Sequence, residues 1–573
     1  MKNTIYVIKR VIRICKEYTA QMILIIVLLT LTTVISLLPT VIIKNLLDSF
    51  ITDSLNKTLF LLIISLFLIP VFNALIQIIQ FSTSTKISNN VMISIKEKMI
   101  RRFFAAKPSA IDMKNSGEWQ NRINTESSSI QSIFEGLVIP FFMLMISMIS
   151  TLILAFSLNW KLTAISLLLY PVTLFPSNFL AKKRQKLSVV IKDKNEHLSG
   201  YVSDIFKGIK NVKQYTTEEK EIAEIKLLNE NIIDDLSKNN LYSWMNDLIL
   251  NNMISGIVNA IVYGVGFYLI LNNNFTIGGL VAFTSILPSI YAVITQTTRL
   301  NNALKMQQSS FERLDEVLNL PIEPNGSETI GNHDICFDHV NFKYDGNADY
   351  TLRDFSLNIN ENTFVALVGP SGAGKSTVFE LLGKYIIPDS GAIKIGGIDI
   401  NMIDNKNLRQ NISVVSQNVY LFNRTVYENI TYGLSDISHE KIESACKKAN
   451  IFDFIQSLPH KFDTIISEGS QNISGGEKVR LGIVRALLQE SQILLFDETT
   501  AALDALNETL FINIIEELKH NHTIICVAHR LTSIKNADKI VVINQGKIAE
   551  QGSHDELLKQ NNLYSSMWDL YVS

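Results

Sequence analysis

Long uncharged stretches in the first half of this 573-residue chain constrain its fold more than any other feature. A membrane-spanning helix needs about 20 consecutive apolar residues. Four stretches are each long enough for one such helix. A fifth is long enough for two, with the cluster Leu271-Asn272-Asn273-Asn274 as the turn between them. The sequence therefore predicts six spans, at about residues 18–43, 58–82, 136–160, 162–181, 248–271 and 277–298.

Lysine and arginine residues predict the orientation of these spans, because they concentrate on the cytoplasmic side of a membrane. They precede the first span, from Lys2 to Lys16, and they recur in the segments 86–107 and 182–186. The turns on the opposite side carry few of them. We therefore expect a multi-pass protein of the plasma membrane, with its N-terminus, both long segments and its C-terminal domain in the cytoplasm.

The two long segments have helical periodicity at Ile93–Phe104 and Val189–Gln214, which predicts that the spans continue as helices beyond the membrane. The turn regions are predicted at Pro108–Gly117 and Tyr215–Ala223. After the spans the composition becomes that of a soluble α/β domain. We therefore divide the chain into a transmembrane domain (1–300), a linker (301–334) and a C-terminal α/β domain (335–573).

Composition and cysteine spacing argue against several classes of function. The formal net charge is −2, so no overall positive field points to a nucleic-acid partner. The four cysteines show no C-x-x-C spacing, which disfavours both a metal site and a disulfide framework.

One motif in the C-terminal domain predicts a phosphate-binding site. Residues 369–376 fit G-x-x-x-x-G-K-[ST], between an apolar strand at 364–368 and a helix from Thr377. Such a P-loop aims backbone N–H groups and a helix N-terminus at phosphate, with Lys375 reaching the β- and γ-phosphates and Ser376 binding Mg²⁺. The predicted nucleotide contacts of this segment are Gly369, Pro370, Ser371, Gly372, Ala373, Gly374, Lys375, Ser376 and Thr377.

Two further segments complete the predicted ATP site. The apolar run at 493–496 ends in Asp497 and Glu498, which is typical of a Walker B strand. Asp497 would hold Mg²⁺, and Glu498 would polarise the attacking water. Upstream, Ser474-Gly475-Gly476-Glu477 combines a capping box with two glycines that leave backbone N–H groups open to an anion.

With these motifs in place, nearly the whole chain resembles an ATP-binding cassette (ABC) exporter half-transporter. Residues 473–477 resemble the LSGGQ signature, with Ile473 for Leu and Glu477 for Gln. The resemblance implies an all-α six-helix membrane domain and a cytoplasmic α/β P-loop ATPase domain. It also implies an adenine-stacking role for Tyr344, a Q-loop role near Mg²⁺ for Gln417, a D-loop role for Asp504 and a γ-phosphate contact for His529.

In that family two cassettes meet head to tail, and each ATP contacts the P-loop of one chain and the signature of the other. The turn regions Pro108–Gly117 and Tyr215–Ala223 match the coupling helices that dock on the cassettes. A homodimer is the simplest assembly, because one chain carries every motif. A heterodimer with a second half-transporter stays open.

The cargo is predicted from the spans, which contain no charged side chain and so disfavour a path for ions. Uncharged polar residues recur along single faces of spans two, five and six. They predict either hydrogen bonds between helices or a cavity for an amphipathic cargo such as a drug, a hydrophobic peptide or a lipid. Within transport, a lipid flippase, an exporter-shaped importer and a gated channel stay as alternatives. The polar residues are Asn73, Gln77, Gln80, Asn252, Ser255, Asn259, Tyr263, Ser285, Ser289 and Gln296.

Overall fold

The computed structural model of the chain forms two compact units. The first comprises the described residues of Met1–Arg102 and Ser116–Asn319, and the second comprises those of Phe103–Asn115 and Leu320–Ser573. The described residues are 16–51, 57–248, 255–344, 349–416, 419–466, 473–497, 505–528 and 530–572.

Every secondary-structure element described in the first unit is helical. A single π-helical turn, Phe134–Val138, joins α4 to α5 and makes one continuous helical segment of them. The short α3 belongs to the second unit. The helices are α1 (Thr19–Ile51), α2 (Lys57–Phe104), α3 (Pro108–Ile111), α4 (Ser116–Ile133), α5 (Ile139–Leu158), α6 (Trp160–Lys207), α7 (Ile209–Tyr215), α8 (Glu218–Leu248), α9 (Ser255–Leu271) and α10 (Ile277–Leu318).

Many apolar side chains on these helices face outward, as expected of helices that cross a membrane. Phe60 on α2 is 68% exposed and Phe67 is 73% exposed, whereas a water-soluble domain does not expose large contiguous apolar patches. Among the described residues, three helical segments are long and apolar enough to cross a membrane. They are Thr19–Phe50, Phe60–Phe104 and Ser116–Leu158.

These three segments overlap the spans predicted at 18–43, 58–82 and 136–160. The spans predicted at 162–181, 248–271 and 277–298 overlap α6, α9 and α10. Residues 249–254 of the fifth lie outside the described residues. The span count and the span limits stay predictions.

Asparagine and threonine side chains mark where consecutive helices change direction. Asn159 has an extended backbone, and its side chain accepts hydrogen bonds from the N–H groups of Lys161 and Leu162 at the start of α6. The predicted asparagine turn is also present, because α9 ends at Leu271 and Asn273 adopts a left-handed φ of 55°. Thr276 then caps α10. Polar caps therefore start both following helices, and the turn after Leu271 is the one predicted from the sequence.

Helix α10 continues through the first half of the segment 301–334, which we assigned to the linker, and ends at Leu318. Three apolar side chains spaced one turn apart stabilise this part of the helix. Phe311, Leu314 and Val317 are at most 2% exposed, so the helix buries one face although its composition has become polar. The non-helical linker begins at Asn319.

The predicted helical extensions beyond the spans are confirmed. α2 runs on to Phe104 and α6 to Lys207. The turn region at 108–117 contains the short helix α3, which has a proline at its first position. The turn region at 215–223 is narrower than expected, since only Thr216, at a left-handed φ of 52°, and Thr217 separate α7 from α8.

The second unit contains two sheets. One has four antiparallel strands in the order β2-β1-β4-β5; the other has six in the order β10-β9-β3-β8-β7-β6, parallel except for β10. The strands are β1 (Ile335–Phe342), β2 (Leu352–Ile359), β3 (Phe364–Val368), β4 (Ser390–Ile395), β5 (Ile398–Asp399), β6 (Ile412–Val415), β7 (Ile493–Asp497), β8 (Thr523–Val527), β9 (Lys539–Asn544) and β10 (Lys547–Gly552).

Strand β3 lies between two hydrophobic cores. Phe364, Ala366 and Val368 pack into one core, and Val365 and Leu367 pack into the other. Alternate side chains of a strand point to opposite faces, so a strand covered on both faces reads as an unbroken apolar run. The helices of this unit are α11 (Lys375–Leu382), α12 (Asn405–Asn411), α13 (Val426–Ile430), α14 (His439–Lys448), α15 (Phe452–Ser457), α16 (Gly475–Leu488), α17 (Ala505–Leu518), α18 (His554–Gln560) and α19 (Leu563–Val572).

Candidate nucleotide-binding site

The predicted P-loop connects β3 to α11, and two of its glycines are required by its geometry. Gly369 has φ of 149°, and a Cβ there would lie 2.1 Å from the carbonyl oxygen of Ile543. Gly374 has φ of 104° at the N-cap of α11, where a Cβ would lie 2.7 Å from Cδ2 of Leu352. Only glycine fits both positions without strain, so the loop closes tightly around the N-terminus of α11.

Lys375 lies inside this loop. It is 5% exposed, and its Nζ donates hydrogen bonds to the carbonyl oxygens of Gly369 (2.9 Å) and Pro370 (3.0 Å). Ser371 and Ser376, by contrast, are exposed at the mouth of the loop. The loop thus combines a fixed positive charge, an accessible hydroxyl and the N–H groups of a first helical turn, which suits an anion with several oxygens.

Tyr344 lies against the P-loop helix. Its hydroxyl donates to Oε2 of Glu380 at 2.9 Å and, because it has a single proton, accepts from the Thr377 hydroxyl at 3.2 Å. Its ring packs edge-on against Phe342 with 4.9 Å between centroids. Burial raises the pKa of Tyr344 to about 12. The phenol is therefore neutral at physiological pH, and its ring is held beside the helix that begins at Lys375.

The signature segment starts α16 with a complete capping box. Ser474 N–H donates to Oε2 of Glu477 at 2.7 Å, and the side chain of Ser474 accepts from Glu477 N–H. Ile473 is 6% exposed and packs in one of the two cores. The departure from leucine at 473 therefore leaves an apolar core side chain in place.

Asp497 is the last residue of β7, and it lies opposite Val527 in the parallel pairing of β7 with β8. Burial, reinforced by the charge of Asp497, raises the pKa of the neighbouring Cys526 thiol to about 12. This thiol stays protonated and is a buried core side chain.

Sheet order brings the predicted site segments to one edge. β3, β8, β7 and β6 are adjacent and parallel, so the P-loop and the described residues Ser416, Asp497 and Ala528 all lie at the same ends of neighbouring strands. Ligands of α/β sheets bind outside this edge. Four predicted site residues fall outside the described residues: Gln417, Glu498, Asp504 and His529.

Sequence reasoning missed Glu508, which lies in the first turn of α17. Its carboxylate accepts from Nη1 of Arg530 at 2.5 Å and from the Thr532 hydroxyl at 2.6 Å, and its side chain is 12% exposed. Arg530 directly follows position 529, and Thr532 lies three positions after it. An acidic residue in the first turn of a helix was the only sequence signal for it, and that signal is too common to be diagnostic.

The polar residues of the membrane domain make contacts within and between helices. Thr32 on α1 donates to Gln80 on α2 at 3.5 Å. Ser285 on α10 bonds to the carbonyl oxygen of Ala282 at 2.8 Å and to Thr40 on α1 at 3.4 Å. These contacts agree with hydrogen bonds between packed helices.

A P-loop, a Walker B strand end and a capped glycine signature on this mixed-sheet fold define an ABC ATPase. Two family models match the chain: the ABC transporter transmembrane region over residues 22–292 and ABC transporter over residues 352–501. The chain therefore belongs to the ABC transporter family. It is a half-transporter of the exporter type, an ATPase coupled to transport.

Individual relatives agree with this placement. The chain is 30% identical to an ATP-dependent lipid A-core flippase of Haemophilus influenzae (strain 86-028NP), over 85% of this chain and 84% of the relative. It is 28% identical to a flippase of the same name from Desulfotalea psychrophila, over 92% and 93%. A bacterial Atm1-family ABC exporter with ATP bound superposes with a TM-score of 0.84 at 25% identity, covering 97% of this chain and 99% of that one.

Proposed function

We propose that a dimer of this chain uses ATP hydrolysis to move an amphipathic, lipid-like substrate across a bacterial plasma membrane by alternating access. The observation that carries the proposal is the presence in one chain of apolar helices with outward-facing side chains and a cassette with a closed P-loop and a capped signature. The flippases among its relatives support a lipid as substrate. A drug or a hydrophobic peptide shares the same amphipathic chemistry.

The nucleotide site would use the residues of the P-loop edge. Gly369–Thr377 would cradle the phosphates, and Lys375 would leave the carbonyl oxygens of its own loop to reach the β- and γ-oxygens. Mg²⁺ would supply charge neutralisation between the phosphates. Ser376, Asp497 and Gln417 would hold it, and hydroxyl, carboxylate and amide oxygens are ligands that Mg²⁺ prefers.

Hydrolysis would depend on residues next to these strand ends. Glu498 would polarise the attacking water, and His529 would contact the γ-phosphate. Removing a positioned base costs on the order of 10²–10⁴ in rate. Glu498→Gln keeps the shape of the side chain and removes the carboxylate, so it should bind ATP and turn over very slowly.

Dimer formation would complete each site. Ser474, Gly475 and Gly476 of one chain would meet the γ-phosphate bound at the P-loop of the other, with Glu477 capping the helix and Asp504 at the same interface. One chain carries both halves, so a homodimer is the simplest assembly, and a heterodimer is its alternative. The basic residues of the N-terminal and cytoplasmic segments support an orientation with the cassette in the cytoplasm.

A reconstituted transport assay tests the proposal. The full chain is placed in proteoliposomes with a fluorescent phosphatidylethanolamine, and the lipid that changes leaflet is counted with a membrane-impermeant quencher. We expect translocation that requires ATP and Mg²⁺ and is lost in Glu498→Gln. Glu490→Gln is the matched control, since this carboxylate pairs with Lys441 on the surface. Equal movement without ATP, or in Glu498→Gln, would contradict a pump, and ionic current without turnover would indicate a channel.

A further inference from the structure

The linker that follows α10 is hydrogen-bonded to the first cytoplasmic loop, which we define as residues 105–115 after α2. Both segments lie within the second compact unit. Lys107 N–H donates to the carbonyl oxygen of Pro321, and Glu323 N–H donates to that of Ala105, both at 2.9 Å. Ala106 and Ile322 are thereby paired as an antiparallel bridge. The loop is covalently continuous with α2 and the linker with α10, so this bridge joins the cytoplasmic ends of two membrane helices of one chain.

The same linker segment is fixed on its other side to the start of α12. Asn405 N–H donates to Oδ1 of Asn325 at 2.7 Å, and Nδ2 of Asn405 donates to the carbonyl oxygen of Pro324 at 3.1 Å. Arg409 forms an ion pair with Glu323, whose side chain is 13% exposed. Hydrogen bonds and one ion pair therefore hold the linker between the first cytoplasmic loop and α12.

A buried lysine extends this contact to the P-loop helix. Lys384 follows the end of α11, is 3% exposed and has a left-handed φ of 56°. Its Nζ donates to Oδ1 of Asn405 at 2.9 Å and to the carbonyl oxygen of Ile403 at 3.4 Å. The side-chain amide of Asn405 thus forms two bonds. Its oxygen accepts from Lys384 at the end of the P-loop helix, and its nitrogen donates to Pro324 of the linker.

The use of a lysine at this position is informative. Burying an ammonium group costs free energy unless its hydrogen bonds are made, and an apolar side chain could fill the space without that cost. What an ammonium provides here is hydrogen bonds to both Asn405 and the carbonyl oxygen of Ile403. The bond to Asn405 ties the end of α11 to the residue that also bonds Pro324 and Asn325 of the linker.

We propose that Lys384 is a positioning residue that ties the P-loop helix, through Asn405, to the linker and the first cytoplasmic loop of the same chain. Nucleotide binding at the P-loop would then reach the ends of α2 and α10 within one chain. This inference rests on the proposed nucleotide site at Gly369–Thr377. The connection is a series of hydrogen bonds. It transmits movement only if ATP binding changes the conformation of the P-loop.

Hydrogen exchange on the full chain in lipid nanodiscs tests this connection. Amide protection is compared with and without ATP and Mg²⁺ in peptides that cover 369–377, 103–115 and 320–328. In the wild type we expect ATP to change the exchange of all three. Lys384→Met should keep the change at 369–377, with ATP affinity altered by less than about threefold, and lose it at the other two. Lys384→Arg, which keeps a donor, should restore part of the response.

Two further variants separate positioning from a general loss of structure. Lys539→Met removes another lysine that donates to a backbone carbonyl, that of Asn358, and should respond like the wild type. Asn405→Asp keeps an acceptor for Lys384 and removes only the side-chain donor to Pro324, so it breaks the connection on its linker side. It should lose the response at 103–115 even if Lys384→Met does not fold.

The outcomes distinguish this inference from the proposed function. No ATP-dependent protection at 369–377 in the wild type would contradict the nucleotide site itself. Protection there without any change at 103–115 in the wild type would overturn the connection. So would an unchanged response at 103–115 in Asn405→Asp.

Discussion

The carboxylate of Glu477 accepts a hydrogen bond from the backbone N–H of Ser474 at 2.7 Å, and Glu477 N–H donates back to Oγ of Ser474 at 3.4 Å. This confirms the capping box predicted from the sequence. The acid that replaces the usual glutamine of the signature is therefore turned toward its own helix N-terminus, where a negative charge is favourable.

Glu477→Gln should change ATPase activity by less than about tenfold, which corresponds to the ~1.4 kcal/mol scale of one local interaction. The reason is that the carboxylate caps α16 instead of facing the phosphate. The measurement is ATPase activity of the purified variant beside the wild type at several salt concentrations. A large, salt-sensitive gain would show that the carboxylate repels the nucleotide, and would favour a heterodimer whose partner supplies a better signature.

Mixing two inactive chains should restore one nucleotide site if the signature acts across the dimer. Ser474→Arg damages the signature and Lys375→Ala damages the P-loop. In a mixed dimer with trans sites both changes fall in the same composite site, and the other site stays intact. Two affinity tags isolate the mixed dimer, and trapped nucleotide is counted. The absence of any occlusion in the mixed dimer would argue for sites within one chain.

The ring of Tyr344 should matter more than its hydroxyl. Tyr344→Ala should weaken ATP binding by about 1–3 kcal/mol, the range for a base stacked on an aromatic side chain. Tyr344→Phe keeps the ring and loses only the bonds to Glu380 and Thr377, so its affinity should stay near that of the wild type. Because the pKa of Tyr344 is raised to about 12, its phenol stays neutral between pH 7 and 10. Ionisation of this group should therefore not change the ATP affinity over that range. Equal weakening in both variants would argue against stacking.

Glu508 and Arg530 should be energetically coupled. Glu508→Gln and Arg530→Met each break the same partly buried pair, so a double-mutant cycle on the free energy of unfolding should show an interaction of about 0.5–3 kcal/mol. Because the pair holds the segment after position 529, we also expect kcat to fall more than KM rises. Strict additivity of the two changes would show that the contact contributes nothing.

His554 should make the cassette less stable in mild acid. It is 7% exposed, its Nδ1 is 2.8 Å from the Tyr564 hydroxyl, and burial lowers its pKa below 6.5. As the pH falls, the unfolded chain protonates this imidazole at a higher pH than the folded chain does. The contribution of neutral His554 to the free energy of unfolding is therefore complete above pH 6.5 and declines as the pH falls toward the folded pKa. The melting temperature of the full chain, compared between pH 7.5 and 5.5, checks this expectation. His554→Phe should show a smaller decline, and an equal decline would assign the effect to other groups.

Local patterns in the sequence were sufficient for a large part of this structure. The P-loop helix, the asparagine turn after Leu271 and the capping box of Ser474 each depend on residues a few positions apart, because caps, turns and glycine conformations are set by the nearest backbone groups. The helical extension of α2 to Phe104 followed in the same way from its apolar spacing.

Only the tertiary structure decided which distant residues meet. α10 continues to Leu318 because Phe311 and its apolar neighbours are buried, whereas the proline and glycine residues that led us to assign a linker do not show where the helix ends. The pairing of Glu508 with Arg530 and of Lys384 with Asn405 joins segments that are separate in sequence. A charged side chain has many candidate partners along a chain, and its burial and its partner are fixed only when the sheet order and the packing of the two cores bring particular segments together.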